Sequence, residues 1–220
     1  MRKLVTGIVA SAVLAFSANA QALTFEGILS GSGTAPVGNF YNGGGGPNFG
    51  IEFFGNALVI NSGAGNCGGS GNFAQQPSGC GVLFFLSGSQ TGMNRAAGFT
   101  TGFSLFYTAV NQAGSVAVWS GLNGTGTLLA TLVLPVTGNG SGVPGCEGTN
   151  FCPFSAVGIG FAGTAQSVVF AGVADQIALD NITFGSTVPE GVVPEPSTYA
   201  LMLTGLAGLA AARRRRASRN

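Results

Sequence analysis

Clusters of glycine divide the middle of this chain into short apolar runs, each about as long as one β-strand. Examples lie at residues 82–86, 115–120 and 177–184, and the glycines belong to a total of 39 in 220 residues. Glycine gives the backbone the freedom that tight turns need and weakens helices and strands from within. Between the two ends of the chain, no stretch shows the apolar spacing of an amphipathic helix. The sequence therefore predicts an all-β fold.

High glycine content is also found in disordered chains, but those contain few apolar residues. Here 45% of the residues are hydrophobic, and they are grouped into strand-length runs. Residues 23–186 are enough for one substantial core and too few for two. We predict a single β-sandwich over residues 23–186, jelly-roll-like in its topology.

Other strands are expected between the remaining glycine clusters, with a long loop at residues 38–48. In the expected strand at residues 99–108, alternate residues from Phe99 to Tyr107 should share one face. The other expected strands are residues 23–28, 51–54, 57–60, 127–134, 157–161 and 166–170.

The last strand, residues 177–184, changes its apolar phase halfway. Ile177 and Leu179 share one parity, whereas Ile182 and Phe184 share the other. A slip of one residue would bring both pairs to the same face of the sheet, so we predict a β-bulge at residues 180–181.

The predicted bulge contains Asp180 and Asn181, and Glu26 lies on the neighbouring first strand. Together these side chains offer oxygen ligands that suit calcium. The alternative, which we favour, is that Asp180 and Asn181 accept hydrogen bonds from nearby backbone groups. No other metal and no cofactor is expected.

The chain has no histidine, which excludes Ser-His-Asp and Cys-His catalysis and histidine-bound zinc. A glycosidase needs only two carboxylates, but the acidic residues here form no recognisable motif. We therefore expect no catalytic residue and no enzyme activity.

Seven of the eight basic residues lie near the two ends of the chain, and Arg95 is the only one between residues 23 and 193. The same span holds six acidic residues, so its net charge is 1 − 6 = −5. Nucleic-acid binding needs clustered lysine and arginine. We therefore expect no nucleic-acid partner.

Four cysteines lie in glycine-rich loops, at positions 67, 80, 146 and 152. Neither CxxC spacing nor histidine accompanies them, which argues against a metal site. Of the three possible pairings, we predict the two local disulfides, Cys67–Cys80 and Cys146–Cys152.

The first 22 residues have the features of a secretory signal peptide. Arg2 and Lys3 precede an apolar stretch at residues 4–16. Ala18-Asn19-Ala20 matches a small-x-small cleavage site, and Ala20-Gln21-Ala22 is a second option. The chain is therefore expected to be exported.

The other end joins three elements in a fixed order. Pro194-Glu195-Pro196 precedes an apolar run at residues 199–212, and Arg213, Arg214, Arg215 and Arg216 follow. Adjacent guanidinium groups resist translocation and keep the terminus on the cytoplasmic side. The run reaches only about 21 Å at 1.5 Å per residue, so snorkelling arginines must help it to span a bilayer.

This tail resembles the PEP-CTERM sorting domain of exported proteins in Gram-negative bacteria. The resemblance implies that an exosortase recognises Pro194, Glu195 and Pro196, that residues 197–216 form a membrane helix with its arginine stop, and that residues 217–220 are cytoplasmic. Residues 187–196 are then a linker that contains the triplet. The ectodomain is expected in the periplasm, anchored to the inner membrane, until processing releases it to the cell surface or the exterior.

The resemblance also implies a role in biofilm or exopolysaccharide, with exopolysaccharide as a further partner. A carbohydrate-binding module is the alternative function, and a secreted polysaccharide hydrolase is a more remote one. Trp119, Tyr41 and Tyr107 are candidates for stacking against sugars, and core packing is the competing interpretation.

Overall fold

The computed structural model describes residues 21–191, which form two packed antiparallel sheets. The predicted all-β sandwich is confirmed. The predicted signal peptide and membrane helix lie outside the described residues. Within residues 21–191 there is no helix long and apolar enough to cross a membrane.

Twelve strands and one short 3-10 helix make up the described part of the chain. They are β1 Gln21–Leu23, β2 Thr34–Pro36, β3 Ile51–Gly55, β4 Leu58–Asn61, β5 Gly81–Phe84, β6 Gln90–Phe99, β7 Gly102–Ala109, β8 Gly114–Trp119, the 3-10 helix Leu122–Gly124, β9 Leu128–Leu134, β10 Ser155–Gly160, β11 Ala165–Ala171 and β12 Ile177–Phe184.

The larger sheet has seven strands in the order β10-β7-β12-β5-β4-β2, with β1 also paired to β12. The smaller sheet has five strands in the order β3-β6-β11-β8-β9. Because β3 and β4 belong to different sheets, the turn at Gly55 and Asn56 carries the chain from one sheet to the other.

The main core lies between the two sheets. Val59, Leu83 and Leu179 of the larger sheet are buried together with Met93 and Val168 of the smaller one. Alternate residues of the same strands lie on the outer face of the larger sheet, the face that points away from the smaller sheet.

Two strand predictions are wrong at their boundaries. The first strand ends at Leu23 rather than residue 28, because Phe25 has a positive φ of 60° that turns the chain. Its ring is fully buried, and its backbone N–H donates to the Tyr41 hydroxyl at 2.7 Å.

The expected strand at residues 99–108 is divided between β6 and β7. Thr101 has a φ of 72° and makes the turn that separates them. Phe99 ends β6, so it does not continue the face of Phe103 and Tyr107. The polar strand β6 and the short strand β2 were missed from the sequence.

Candidate functional site

Two disulfide-closed loops lie over the outer face of the larger sheet. Cys67 is bonded to Cys80, with Cα atoms 5.5 Å apart, and Cys146 to Cys152, with Cα atoms 5.6 Å apart. Both local pairings predicted from the sequence are present. Residues 67–80 and 146–152 are called the disulfide loops below.

The two loops are joined to each other. Phe73 and Phe151 form an isolated parallel bridge, and the backbone N–H of Asn150 donates to the Asn72 carbonyl oxygen at 3.2 Å. The Gln75 side-chain amide also donates to the carbonyl oxygen of Pro144, two residues before the second loop, at 2.6 Å. The loops therefore form one continuous cover.

This cover rests on an apolar cluster of its own. Phe73 packs with Val82 of β5 and Ala178 of β12, and Ile60, Phe151 and Phe154 surround them. Strands β5 and β12 are consequently buried on both faces. This burial explains why residues 82–84 of β5 are all apolar and why β12 is apolar except at Asp180, Asn181 and Thr183.

A concave site of about 360 Å³ lies where the cover meets the sheet. We call it the outer groove. Its floor is apolar, and its walls carry side-chain amides, one hydroxyl and one carboxylate. The floor residues include Ile60, Phe73, Val82, Phe84, Phe151 and Ala178, and the polar residues are Ser70, Asn72, Asn111, Asn150, Asp175 and Gln176.

Three of the polar side chains are free to bind a ligand. Asn111, Asn150 and Asp175 are exposed, and none of their side chains hydrogen-bonds another of the residues 21–191. Asp175 has a φ of 60°, and its backbone N–H donates to the Phe85 carbonyl oxygen at 2.8 Å. Among the lining residues that lie within 21–191, Asp175 is the only one with a charged side chain.

The predicted bulge lies beside the first disulfide loop. The pairing of β12 with β7 shifts register between Asp180 and Thr183, and Asn181 has a φ of 45°. The fully buried carboxylate of Asp180 accepts hydrogen bonds from the backbone N–H of Ser78 at 3.1 Å and from that of Asn181 at 2.7 Å. The Ser78 hydroxyl also donates to it, at 3.0 Å. The bulge thus attaches residues 67–80 to the sheet.

Burial raises the pKa of Asp180 to about 8, since it disfavours the charged carboxylate more than the hydrogen bonds from Asn181 and Ser78 stabilise it. The neighbouring charge of Glu26 raises this pKa further. Burial also raises the pKa of the Tyr41 hydroxyl, despite the hydrogen bond from Phe25, and Asp180 and Glu26 add to the increase.

The calcium candidates are engaged by the protein itself. A single carboxylate oxygen of Glu26 accepts from the backbone N–H groups of Cys80 at 2.9 Å and Gly81 at 2.8 Å. Across residues 21–191, no three acidic, cysteine or histidine side chains are grouped so as to hold a metal ion. Glu26 and Asp180 therefore fit the backbone-bonding interpretation better than the calcium one. Asn181 does not accept as expected: its amide donates to the Glu190 carbonyl oxygen, and its buried Oδ1 has no partner among residues 21–191.

The aromatic candidates for sugar stacking are not on this surface. Tyr41 and Tyr107 are each only 3% exposed and belong to the main core. Trp119 is half-buried on β8 of the smaller sheet. Core packing is therefore the correct interpretation for the two tyrosines.

Sequence reasoning missed the outer groove. One pattern points to it: each disulfide loop has an Asn-Phe pair, Asn72-Phe73 in the first and Asn150-Phe151 in the second. The structure brings both pairs together at the Phe73–Phe151 bridge, with the phenylalanines over the sheet and the asparagines at the rim.

The chain beyond β12 stays attached to the domain as far as Glu190. The Asn181 side-chain amide donates to the Glu190 carbonyl oxygen at 2.9 Å, and the Glu190 backbone N–H donates to the Thr183 hydroxyl at 3.0 Å. The predicted sorting residues Pro194, Glu195 and Pro196 and the arginines 213–216 lie outside the described residues.

Comparison with solved structures finds β-sandwich domains of low similarity. A carbohydrate-binding module of lichenase 5A from Cellvibrio mixtus is 14% identical with a TM-score of 0.35, over 59% of this chain and 96% of that one. The K1 cleaved adhesin domain of Lys-gingipain from Porphyromonas gingivalis is 10% identical with a TM-score of 0.45, over 76% of this chain and 98% of that one. These values are too low to support any statement about function.

A comparison with curated proteins gives no match. A comparison with family models matches residues 192–216 to the PEP-CTERM protein-sorting motif. These residues include the Pro-Glu-Pro triplet, the apolar run and the four arginines. The chain thus carries a PEP-CTERM protein-sorting motif directly after its β-sandwich domain.

Proposed function

We propose that this protein is exported, anchored in the inner membrane, and processed by an exosortase that releases its β-sandwich domain to the cell surface or extracellular matrix. The observation that carries the proposal is the sorting motif at residues 192–216. Disulfides in the preceding domain support it, because such bonds persist in oxidising compartments outside the cytoplasm.

Each part of the motif has a role in this proposal. Pro194 and Pro196 restrict the backbone around Glu195 to extended conformations, which suit recognition by a protease. Residues 199–212 form the membrane segment, and Arg213–Arg216 stop translocation. After cleavage the domain has no anchor and becomes part of the envelope or of the exopolysaccharide.

The domain's contribution in that setting is binding rather than catalysis. A second candidate function, carbohydrate binding, is favoured by the outer groove, which combines an apolar floor with free amides at its rim. Ligand sites commonly have this composition, with few polar groups on a mostly apolar surface.

The sorting proposal is tested by replacing one carboxylate. Glu195→Ala should leave export intact, because the predicted signal peptide and the arginine stop are unchanged. It should block processing, because it removes the carboxylate of the triplet that the exosortase is proposed to recognise. Glu190→Ala is the matched control, since the hydrogen bonds of Glu190 to the domain use its backbone atoms. It should mature like wild type.

The measurement is the mass and cellular location of each variant, in cells with and without an exosortase. The proposal fails if Glu195→Ala matures to the wild-type C-terminus, or if wild type keeps Arg216 in exosortase-positive cells. The tail would then be an ordinary membrane anchor.

A further inference from the structure

We propose that the outer groove binds neutral, hydroxyl-rich polysaccharide and discriminates against acidic sugars. This inference rests on the proposed function, because it names the partner of the released domain in the matrix. Its physical basis is the size, composition and charge of the groove.

The groove is a preformed cleft of suitable size. Its volume of about 360 Å³ lies in the range of about 300–1,000 Å³ that is usual for small-molecule sites. Each of its two loop walls belongs to a disulfide loop. The first wall is also attached through Ser78 to the buried Asp180. A site that is ordered before binding loses less conformational entropy when the ligand arrives.

The polar groups match the needs of sugar hydroxyls. A hydroxyl group both donates and accepts, and a side-chain amide does the same with its N–H₂ and its oxygen. Asn111 and Asn150 present such amides at the rim, and neither side chain hydrogen-bonds another described residue. The Gln176 side-chain N–H₂ donates to the Asp175 carbonyl oxygen at 2.9 Å, which leaves its own oxygen as an acceptor.

The floor matches the other surface of a sugar ring. The C–H groups of a pyranose form an apolar face, and burying apolar surface is favourable. Phe151 is half-buried at the edge of the groove, and Ile60 and Phe84 form part of the groove floor. A sugar unit can therefore rest on the floor and direct its hydroxyls toward the amides.

The charge of the groove selects against anions. Among residues 21–191, its lining contains the Asp175 carboxylate and no lysine or arginine, and the surrounding domain has a formal net charge of −5, from one basic and six acidic residues between 23 and 193. A carboxylate or phosphate on the ligand would meet a like charge with no cation to pair with, which opposes binding. Uncharged sugars do not incur this cost.

The test is calorimetric titration of the full chain, purified in detergent, with hexasaccharides of glucose, mannose, galactose and xylose and with hexagalacturonate. At least one neutral hexasaccharide should bind with a Kd of about 1 mM or tighter, equivalent to about −4 kcal/mol. Hexagalacturonate should bind at least tenfold more weakly. Absence of binding by every neutral probe, or preference for hexagalacturonate, overturns the inference.

Three variants locate the site. Asn111→Ala and Asn150→Ala should each weaken binding of the neutral hexasaccharide about three- to tenfold, because each removes a hydrogen-bonding amide. Gln112→Ala is the matched control: it removes an amide from the exposed residue next to Asn111, outside the groove lining. Equal effects at positions 111 and 112, or wild-type binding by both asparagine variants, would place any binding elsewhere.

Asp175→Asn tests the discrimination itself. The change keeps the shape of the side chain and removes the charge. At low salt, where charge interactions are least screened, the preference for neutral sugar over hexagalacturonate should therefore be smaller for Asp175→Asn than for the wild type. An unchanged preference contradicts the electrostatic argument. Since all these measurements use the full chain and no exosortase, their failure would leave the sorting result for Glu195 unaffected, and a failure of sorting would leave them unaffected.

Discussion

The two faces of the seven-stranded sheet are covered in different ways. The inner face packs against the smaller sheet through apolar side chains such as Val59 and Leu83, which are fully buried. The outer face is covered by the two disulfide loops, and within residues 21–191 its apolar cluster has three buried members, Phe73, Val82 and Ala178.

This difference shows how a short glycine-rich segment can cover a sheet. Loops have little apolar surface with which to offset the entropy of being ordered. Covalent closure reduces that entropy in the unfolded chain. The contacts with Asp180 and between the two loops provide the remaining stabilisation. The face that is covered by loops rather than by a second sheet is also the face that has a groove.

Removing both disulfides should reduce the stability of the outer cover more than any other change proposed below. Changing all four cysteines to serine should lower the free energy of unfolding by about 5 kcal/mol, roughly 3 for the longer loop and about 2 for the shorter. Urea denaturation measures the loss, and hydrogen exchange locates it. Exchange should rise first at residues 67–80 and 146–152. Uniform loss of protection across both sheets would contradict an independently stabilised outer cover.

A matched pair of valines compares the faces directly. Val59 and Val82 are both fully buried, on neighbouring strands, but Val59 lies in the main core and Val82 beneath the loops. Val59→Ala should cost about 2–4 kcal/mol, because two packed sheets cannot close around the cavity. Val82→Ala should lower the free energy of unfolding by about 1–2 kcal/mol, because loops move into a cavity more easily than a packed sheet does. Equal losses in urea denaturation would show that the outer cover is as rigid as the core.

Per pH unit, the smallest effect should be a pH dependence that originates at Asp180. Its pKa is about 8 in the folded protein against an ordinary 3.8, so between these values the folded state keeps a proton that the unfolded state has lost. Stability should therefore be greatest below about pH 4 and fall as the pH rises toward 8, by at most about 1.4 kcal/mol per pH unit. Thermal unfolding between pH 5 and 7 measures the slope.

Asp180→Asn should flatten this slope, because the group no longer titrates. Asp175→Asn makes the same change at an exposed carboxylate and serves as the control. A slope that persists in Asp180→Asn would assign the pH dependence to other groups.

The fold could be predicted where local apolar patterns determine it. The strand at residues 82–86 was recognisable because nearly every residue is apolar, and the bulge at Asp180 because the apolar parity changes there. Strand β6 was missed because Gln90, Asn94 and Arg95 are polar and Gly92 interrupts the pattern. Its strand conformation comes from pairing with β3 on one side and β11 on the other, which no local pattern contains.

The candidate site was less predictable than the fold. The disulfides followed from loop context and compartment, but the groove depends on contacts between residues far apart in the chain, such as Asn72 and Asn150. Tyr41 was misjudged for a related reason. It lies in a glycine-rich segment, yet the left-handed turn at Phe25 brings a backbone N–H to its hydroxyl and holds its ring in the core.

The attachment of Glu190 to β12 has a consequence for the geometry of processing. Three residues lie between Glu190 and Pro194, and the four steps from one Cα atom to the other span at most about 14 Å when the chain is fully extended. The folded domain must therefore stay within that distance of the triplet. An enzyme that binds the triplet has to approach from the side that the domain leaves open. The sandwich therefore restricts, by steric exclusion, the orientation in which a processing enzyme can bind.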